Sequence, residues 1–386
     1  MKIKNGNLFK EFFEGEKSGG IILIIATIIS LSLSNSGIKN SYIHFWEHSF
    51  LNMKLETWVN DVLMSFFFLL IGLELKREFT SGELSTPKKA LLPIVSALGG
   101  VVVPSVIYLL LNSGTNTQSG FGIPMATDIA FALGALSLLG KKIPFSIKIF
   151  LTALAVIDDL AAILVIALFY SSNIDWIYLG LAIVTFGILI GLNKSKVKNL
   201  FPYLTLGGFM WYFMHHSGIH ATISGVLLAF TIPSSKNEGK STAGKLQDLL
   251  DKPVPFLILP LFAMANTAIE ISPNWSNLFS ENYSLGILIG LVFGKPIGIS
   301  LFTYLFVKIK LCKLPSDVRW KDLVATSFLG GIGFTMSIFV TLLAFNDLTI
   351  INNAKFMILI SSLIAGIIGL TALKLVFKSS KPEFDL

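Results

Sequence analysis

The sequence predicts an all-α, polytopic membrane protein of about twelve transmembrane helices, and three observations carry that prediction. Of its 386 residues, 53% are hydrophobic and only 14% are charged, whereas a soluble domain carries roughly 25% charged residues. Mean hydropathy is +0.74. Twelve membrane helices of about 20 residues would use about 240 positions and leave short connections, and the chain holds about that many apolar runs. No polar stretch is long enough for a large aqueous domain. A soluble two-domain enzyme and a chain with one anchor and a large aqueous domain are therefore both excluded.

In order along the chain, residues 1–17 form a mixed-charge, amphipathic start. No small-residue cleavage site follows early enough to make it a signal peptide, so the first span, 18–34, is expected to be retained. The second, 57–79, ends on the charged run Glu74, Lys76, Arg77 and Glu78. Apolar runs place the next at 92–112, 121–140 (opening on glycines and a proline), 147–171 (with two adjacent aspartates), 176–193 and 200–215. The eighth, 218–232, is the shortest and starts polar; 255–272, 284–307 (with a lysine inside), 323–346 (interrupted by glycines) and 353–377 complete the set. The chain thus reads as one transmembrane domain over 1–386. Its N-terminus is 1–17 and its C-terminus 378–386; a loop at 35–56 has room for a short hairpin, and the most polar interior loop is 233–253.

The cations orient it. Of the 30 Lys and Arg residues, 26 fall on one set of loops plus the termini; only Lys39, Lys54 and Lys355 fall on the other set, and Lys295 lies inside a span. By the positive-inside bias the rich side is cytoplasmic, with both termini, and loop 35–56 is periplasmic. A formal charge of +7 spread between apolar runs forms no basic face for nucleic acid. The single cysteine, Cys312, excludes an intrachain disulfide framework.

The informative residues are ionisable groups inside spans: Asp128, Asp158, Asp159 and Lys295. Each costs about 2.5–3.5 kcal/mol at a helix centre, roughly 10–14 for four, which rivals the net stability of a typical domain, about 5–15 kcal/mol. Buried pairs that only set helix register would explain one Lys–Asp pair, not three carboxylates against one amine. At about 100° per residue, Asp158 and Asp159 cannot share the same contacts. Adjacent carboxylates in a poorly hydrated site repel when both are ionised, so such a pair can hold protons or exchange them for a small hard cation. Gly120, Gly122 and Pro124 stand before Thr127 and Asp128, and Gly330, Gly331 and Gly333 before Thr335. Discontinuous helices in separate halves build midplane ion sites in secondary transporters. Asn60 and Asp61, with Glu74, Lys76, Arg77 and Glu78 at the far end of the same span, read as an interfacial charge cluster. His220 reads first as a structural, hydrogen-bonded histidine. Trp46, Trp58 and Trp275 suit interfacial anchors.

Taken together, ATDIAFALGALSLLG, KIFLTALAVIDDLAAI, WVNDVLMSFFFLLIGLELKRE, SGIHATISGV, LPLFAMAN, FGKPIGI and GGIGFTMSIF resemble, in order and over about residues 10–375, the NhaA-type Na⁺/H⁺ antiporters. The resemblance implies inverted repeats whose fourth and eleventh helices are unwound and cross near the membrane centre. It implies electrogenic, pH-regulated exchange of Na⁺ or Li⁺ for H⁺ across the inner membrane of a bacterium. These ions are the substrates, no cofactor is implied, and the partners are membrane lipids and a second copy of the chain. Asp159 matches the central Na⁺ ligand, Asp158 a ligand, a proton site or both, and Thr127 a neighbouring ligand. Asp128 matches the residue that offsets facing helix dipoles, and Lys295 the partner of the first Asp; Asp61 and Thr335 are supporting. Glu74, Arg77, Glu78, Asp248, Asp251 and His220 are candidates for the pH response.

Two departures carry expectations. The start of the ninth helix reads KLQDLLDKP, without the family's histidine, which predicts an altered midpoint and steepness of pH activation. The first periplasmic loop is shorter than the family's dimer-forming hairpin, which predicts a weaker homodimer. An intramembrane aspartyl protease also uses two carboxylates, but on separate helices sharing a proton, and it leaves Asp159 and Lys295 without roles. A proton-coupled carrier of an organic solute shares the architecture and differs in whether Na⁺ displaces protons.

Overall fold

The protein is described by a computed structural model covering residues 5–140, 143–171, 174–234, 241–271 and 275–378. Parts of three expected segments (1–4, 235–240 and 379–386) lie outside the described residues. The rest is mostly helical. The first helices are α1 (Asn5–Ser34) and α2 (Lys39–Glu47), followed by the paired strands β1 (Ser49–Phe50) and β2 (Met53–Lys54). Next come α3 (Leu55–Thr57), α4 (Met64–Thr80), α5 (Pro87–Asn112), α6 (Ile129–Ser137), α7 (Phe145–Phe169), α8 (Trp176–Lys194), α9 (Leu200–Ser217) and α10 (Ile223–Thr231). The remainder are α11 (Thr242–Leu250), α12 (Leu259–Asn266), α13 (Asn282–Ile289), α14 (Lys295–Lys308), α15 (Trp320–Gly330), α16 (Phe334–Ala344) and α17 (Leu348–Lys378).

Among the described residues, seven helical stretches are long and apolar enough to cross a membrane: Leu55–Thr80, Pro87–Asn112, Gln118–Ser137, Phe145–Phe169, Trp176–Lys194, Asn282–Lys308 and Leu348–Phe377. They become nine if two bent pairs each count as one span: Ser18–Ser34 with Lys39–Glu47, bent by 115°, and Trp320–Gly330 with Phe334–Ala344, bent by 47°. The class is thus a mostly helical, multi-pass membrane protein, with one short hairpin at Ser49–Lys54. The other expected spans, 200–215, 218–232 and 255–272, fall on α9, α10 and α12, which are not among these nine.

Local chemistry sets the boundaries. Asp175 caps α8 by accepting the N–H of Ile177 at 2.9 Å, Asn199 caps α9 through Phe201 at 3.0 Å, and Ser241 caps α11 through Gly244 at 2.9 Å. Each satisfies a donor that the first helical turn leaves unpaired. Within 35–56, Leu51 and Asn52 join β1 to β2 with φ of 50° and 62°, the left-handed pair that a two-residue hairpin turn requires. Asn tolerates this conformation, whereas Leu bears a cost of about 1–2 kcal/mol.

The chain divides into two compact units. One comprises Met1–Ile24, Pro87–Asp159 and Ile269–Leu386. Its core includes Leu133, Leu151, Leu154, Ile299, Leu329 and Leu373, all fully or almost fully buried. In this unit α5 packs on α14 with the backbones in contact at Gly99 and Gly298, where a Cβ on either residue would collide with the other's carbonyl. Gly298→Ala is accordingly expected to lower the melting temperature of the purified protein, at an overpacking cost of about 1–3 kcal/mol. An unchanged transition would remove this contact from the account.

The second unit comprises Ile25–Thr86 and Leu160–Ala268. In it α4 packs on α10, and Gly225 admits the Ser65 carbonyl where a side chain would not fit. The Lys76 ammonium donates to the carbonyls of Phe230 (2.8 Å) and Ile232 at the end of α10, where the helix dipole favours a cation.

Candidate functional site

The carboxylate pair lies on α7, and Asp158 and Asp159 are both buried. The expected interruption around Pro124 is a 3-10 turn, Gln118–Met125, followed by non-helical residues 126–128 and then α6. The glycine run ends α15 at Gly330, and α16 restarts at Phe334. The backbone groups freed by these breaks find partners in each other. The Asp128 N–H donates to the Ile332 carbonyl at 2.7 Å, and the Ser337 hydroxyl to the Ile123 carbonyl at 2.7 Å. The Thr127 hydroxyl lies 2.8 Å from the Gly330 carbonyl. In a membrane interior an unmade backbone hydrogen bond costs several kcal/mol, so a broken span persists only where neighbours supply such partners.

Two kinds of helix end meet here. Asp128 is the N-cap of α6, with Oδ1 accepting the Phe131 N–H at 2.9 Å. Its Oδ2 accepts both the N–H and the hydroxyl of Thr335, at 3.1 and 2.6 Å, and Thr335 lies in the first turn of α16. One carboxylate therefore answers the positive ends of two helices. The carbonyl ends are met differently. The Lys295 ammonium donates to the Met125 carbonyl, the last residue of the 3-10 turn, and the Thr127 hydroxyl faces the last carbonyl of α15.

Lys295 follows a π-helical turn, Gly290–Gly294, a backbone irregularity that recurs at functional sites. Its Nζ stands 2.9 Å from Asp158 Oδ2, with both side chains fully buried. The same Oδ2 lies 2.7 Å from the Thr127 hydroxyl, while Asp158 Oδ1 is buried and accepts no hydrogen bond among the described residues. The charge of Asp159 also reaches Lys295. Asp128 is met by helix ends and Asp158 by the amine, and Asp159 stands one position along α7 within electrostatic reach of the same amine. Thr127 has a single hydroxyl hydrogen and two acceptors, so turning it to Gly330 presents a lone pair toward Asp158. Among the described residues, no group of three or more His, Cys, Asp or Glu side chains is placed to hold a metal ion. Any cation ligand set here must draw on hydroxyl and carbonyl oxygens, the ligands that suit hard cations.

The other expected residues lie in the second unit. Asp61, in a π-helical turn at Trp58–Leu63, faces two histidines: its carboxylate is 3.5 Å from His215 Nδ1 and 4.0 Å from His220 Nε2. His220 also bonds the Thr222 hydroxyl at 2.8 Å, in keeping with its reading as a hydrogen-bonded histidine. Arg77 lies 3.6 Å from Glu78, whose other oxygen accepts the Glu83 N–H at 2.9 Å. Glu74 and Asp251 are near enough to interact electrostatically, and Asp251 feels both Arg77 and Asp248.

Burial pushes the Asp251 carboxyl up from 3.8 to about 6, against the pull of Arg77 and with a further push from Asp248. The folded chain thus favours the protonated acid. The stability this confers is complete below the unfolded value of 3.8 and is lost as pH rises through about 6. Asp251→Asn is expected to flatten that part of the stability profile and to raise the melting temperature near neutral pH, with little change in acid. Parallel wild-type and variant profiles would contradict it.

Three contributors escaped the sequence reading. Ser337 sits two positions beyond Thr335 in a motif already singled out, and only its neutral, commonplace side chain hid it. Ser362 accepts the Phe334 N–H at 3.1 Å across 28 residues, with no local signal. His215 was legible only as half of the doublet His215–His216.

Comparison with known proteins gives a consistent result. The family model described as Na⁺/H⁺ antiporter 1 matches residues 10–373. The chain is 62% identical over 380 residues to a Flavobacterium psychrophilum protein named Na(+)/H(+) antiporter NhaA, covering 98% of each. A Cytophaga hutchinsonii protein of the same name is 55% identical over 376 residues, 97% of each. One from Citrobacter koseri is 44% identical, over 94% of this chain and 97% of its own.

Proposed function

Because the chain belongs to the Na⁺/H⁺ antiporter 1 family, and so is a transporter rather than an enzyme, we propose that it exchanges cytoplasmic Na⁺ or Li⁺ for external H⁺ at Asp158 and Asp159. The observation that carries this reading is the buried Lys295–Asp158 pair, 2.9 Å apart, with Thr127 on the same carboxylate oxygen and Asp159 one position along α7. A cation approaching Asp158 competes with the amine, so its entry favours release of the amine and loss of a proton. Protonation of the acids, or return of the amine, expels the cation. Asp128 and Thr335 hold the two broken segments together so that this exchange happens at fixed geometry. Asp61, with its histidines, and the Glu74, Arg77, Glu78, Asp248 and Asp251 group bias the exchange with pH.

More protons than sodium ions move in each cycle, and the exchange is therefore driven by the membrane potential. The chain crosses the bacterial inner membrane twelve times with both termini in the cytoplasm. The broken spans at 118–137 and 320–344 are the fourth and eleventh, crossing at the site, and a homodimer weakened by the short first loop is the assembled form. Calorimetric titration of Na⁺ into the purified protein across a pH series tests the exchange. Affinity is expected to fall as acidity rises, with protons released on binding. Na⁺ binding of constant strength at every pH would overturn the reading.

A further inference from the structure

We propose that residues 309–319, with the helix ends they join, form a docking surface for the headgroup of an anionic phospholipid. The span Asn282–Lys308 ends on this segment, which places it where the membrane meets water. Lys308, Lys310, Lys313 and Lys321 are exposed there. Two carboxylates stand among them. Asp322 is already committed to Arg319, whose Nε and Nη2 donate to its two oxygens at 3.0 and 2.9 Å. That leaves Asp317 alone against four lysines, a clear positive surplus.

The segment holds these charges on a fixed backbone. Cys312 is buried in the core of the first unit, and Leu314 and Val318 pack against the same core. The N–H groups of Lys310 and Leu311 fold back to the carbonyls of Val307 and Phe306, both at 3.0 Å, with Lys310 at a left-handed φ of 62°. On the outer side, Ile309 and Leu311 are exposed. Trp320 meets Tyr304 edge to face at 5.5 Å, and the Lys308 ammonium lies 5.8 Å from the Tyr304 ring. Aromatic rings at headgroup depth and lysines reaching past them to phosphate match a lipid at the interface. A free phosphate would satisfy the lysines but leave the apolar and aromatic side chains without a counterpart, so the occupant is the lipid.

The test titrates phosphatidylglycerol or phosphatidylcholine into the purified full chain in detergent, with bound lipid counted by native mass spectrometry. The wild type is expected to retain phosphatidylglycerol in preference to phosphatidylcholine, less so as salt rises. The Lys310→Gln/Lys313→Gln/Lys321→Gln variant should bind phosphatidylglycerol roughly 100-fold more weakly, since each cation near an anionic surface contributes about a factor of five. The corresponding triple Lys→Arg variant should bind as the wild type does, which separates lost charge from lost folding, and Asp317→Asn should bind more tightly. Equal retention by the Gln variant and the wild type, equal retention of the two lipids, or displacement of the lipid by inorganic phosphate would each overturn the proposal.

Discussion

Asp159→Asn is expected to abolish Na⁺-induced collapse of a proton gradient in everted vesicles, down to the level of vesicles lacking the protein. The substitution keeps shape and volume and removes one thing: a carboxylate that holds either a proton or a hard cation. Asp158 is engaged with Lys295 and Thr127, and Asp128 with two helix starts, so neither neighbouring acid is expected to replace it. Stability should change little or rise, since a buried charge is replaced by a neutral amide. Exchange at the wild-type rate would remove Asp159 from the proposed site.

The second large effect concerns Lys295. Lys295→Met leaves Asp158 buried without its counter-charge, and breaking a buried pair from one side costs about 3–5 kcal/mol. The melting temperature should therefore drop sharply at neutral pH and recover in acid, where Asp158 becomes neutral. Adding Asp158→Asn should restore stability, because replacing both partners of a buried pair is often neutral or stabilising. Transport should not return with it, since one of the two acids proposed to exchange is gone. If the double variant melted as low as Lys295→Met alone, the pair would not be what holds these helices together. If it exchanged Na⁺ for H⁺ normally, Asp158 would have no part in the cycle.

The two broken helices show how far local sequence reaches. Glycines and a proline before Asp128, and glycines before Thr335, pointed to both interruptions, because glycine weakens a helix and proline removes one of its hydrogen bonds. Nothing local announced that Asp128 would accept from Thr335, 207 positions away. The same holds in the second unit. The acidic and basic residues at the end of α4 were legible as a cluster, yet the seat of Lys76 on the carbonyls of α10 depends on a helix more than 150 residues distant.

The sequence by itself determined the membrane class, the two interruptions and the identity of the buried charges, because hydropathy, backbone permissiveness and the cost of an ion in lipid belong to residues one at a time. Only the tertiary structure decided which oxygen of Asp158 meets Lys295 and how one carboxylate serves two helix starts. It also decided that neutral serines at 337 and 362 close the remaining backbone bonds. Those are long-range pairings, and a hydrogen bond's direction and length are settled by packing rather than by composition.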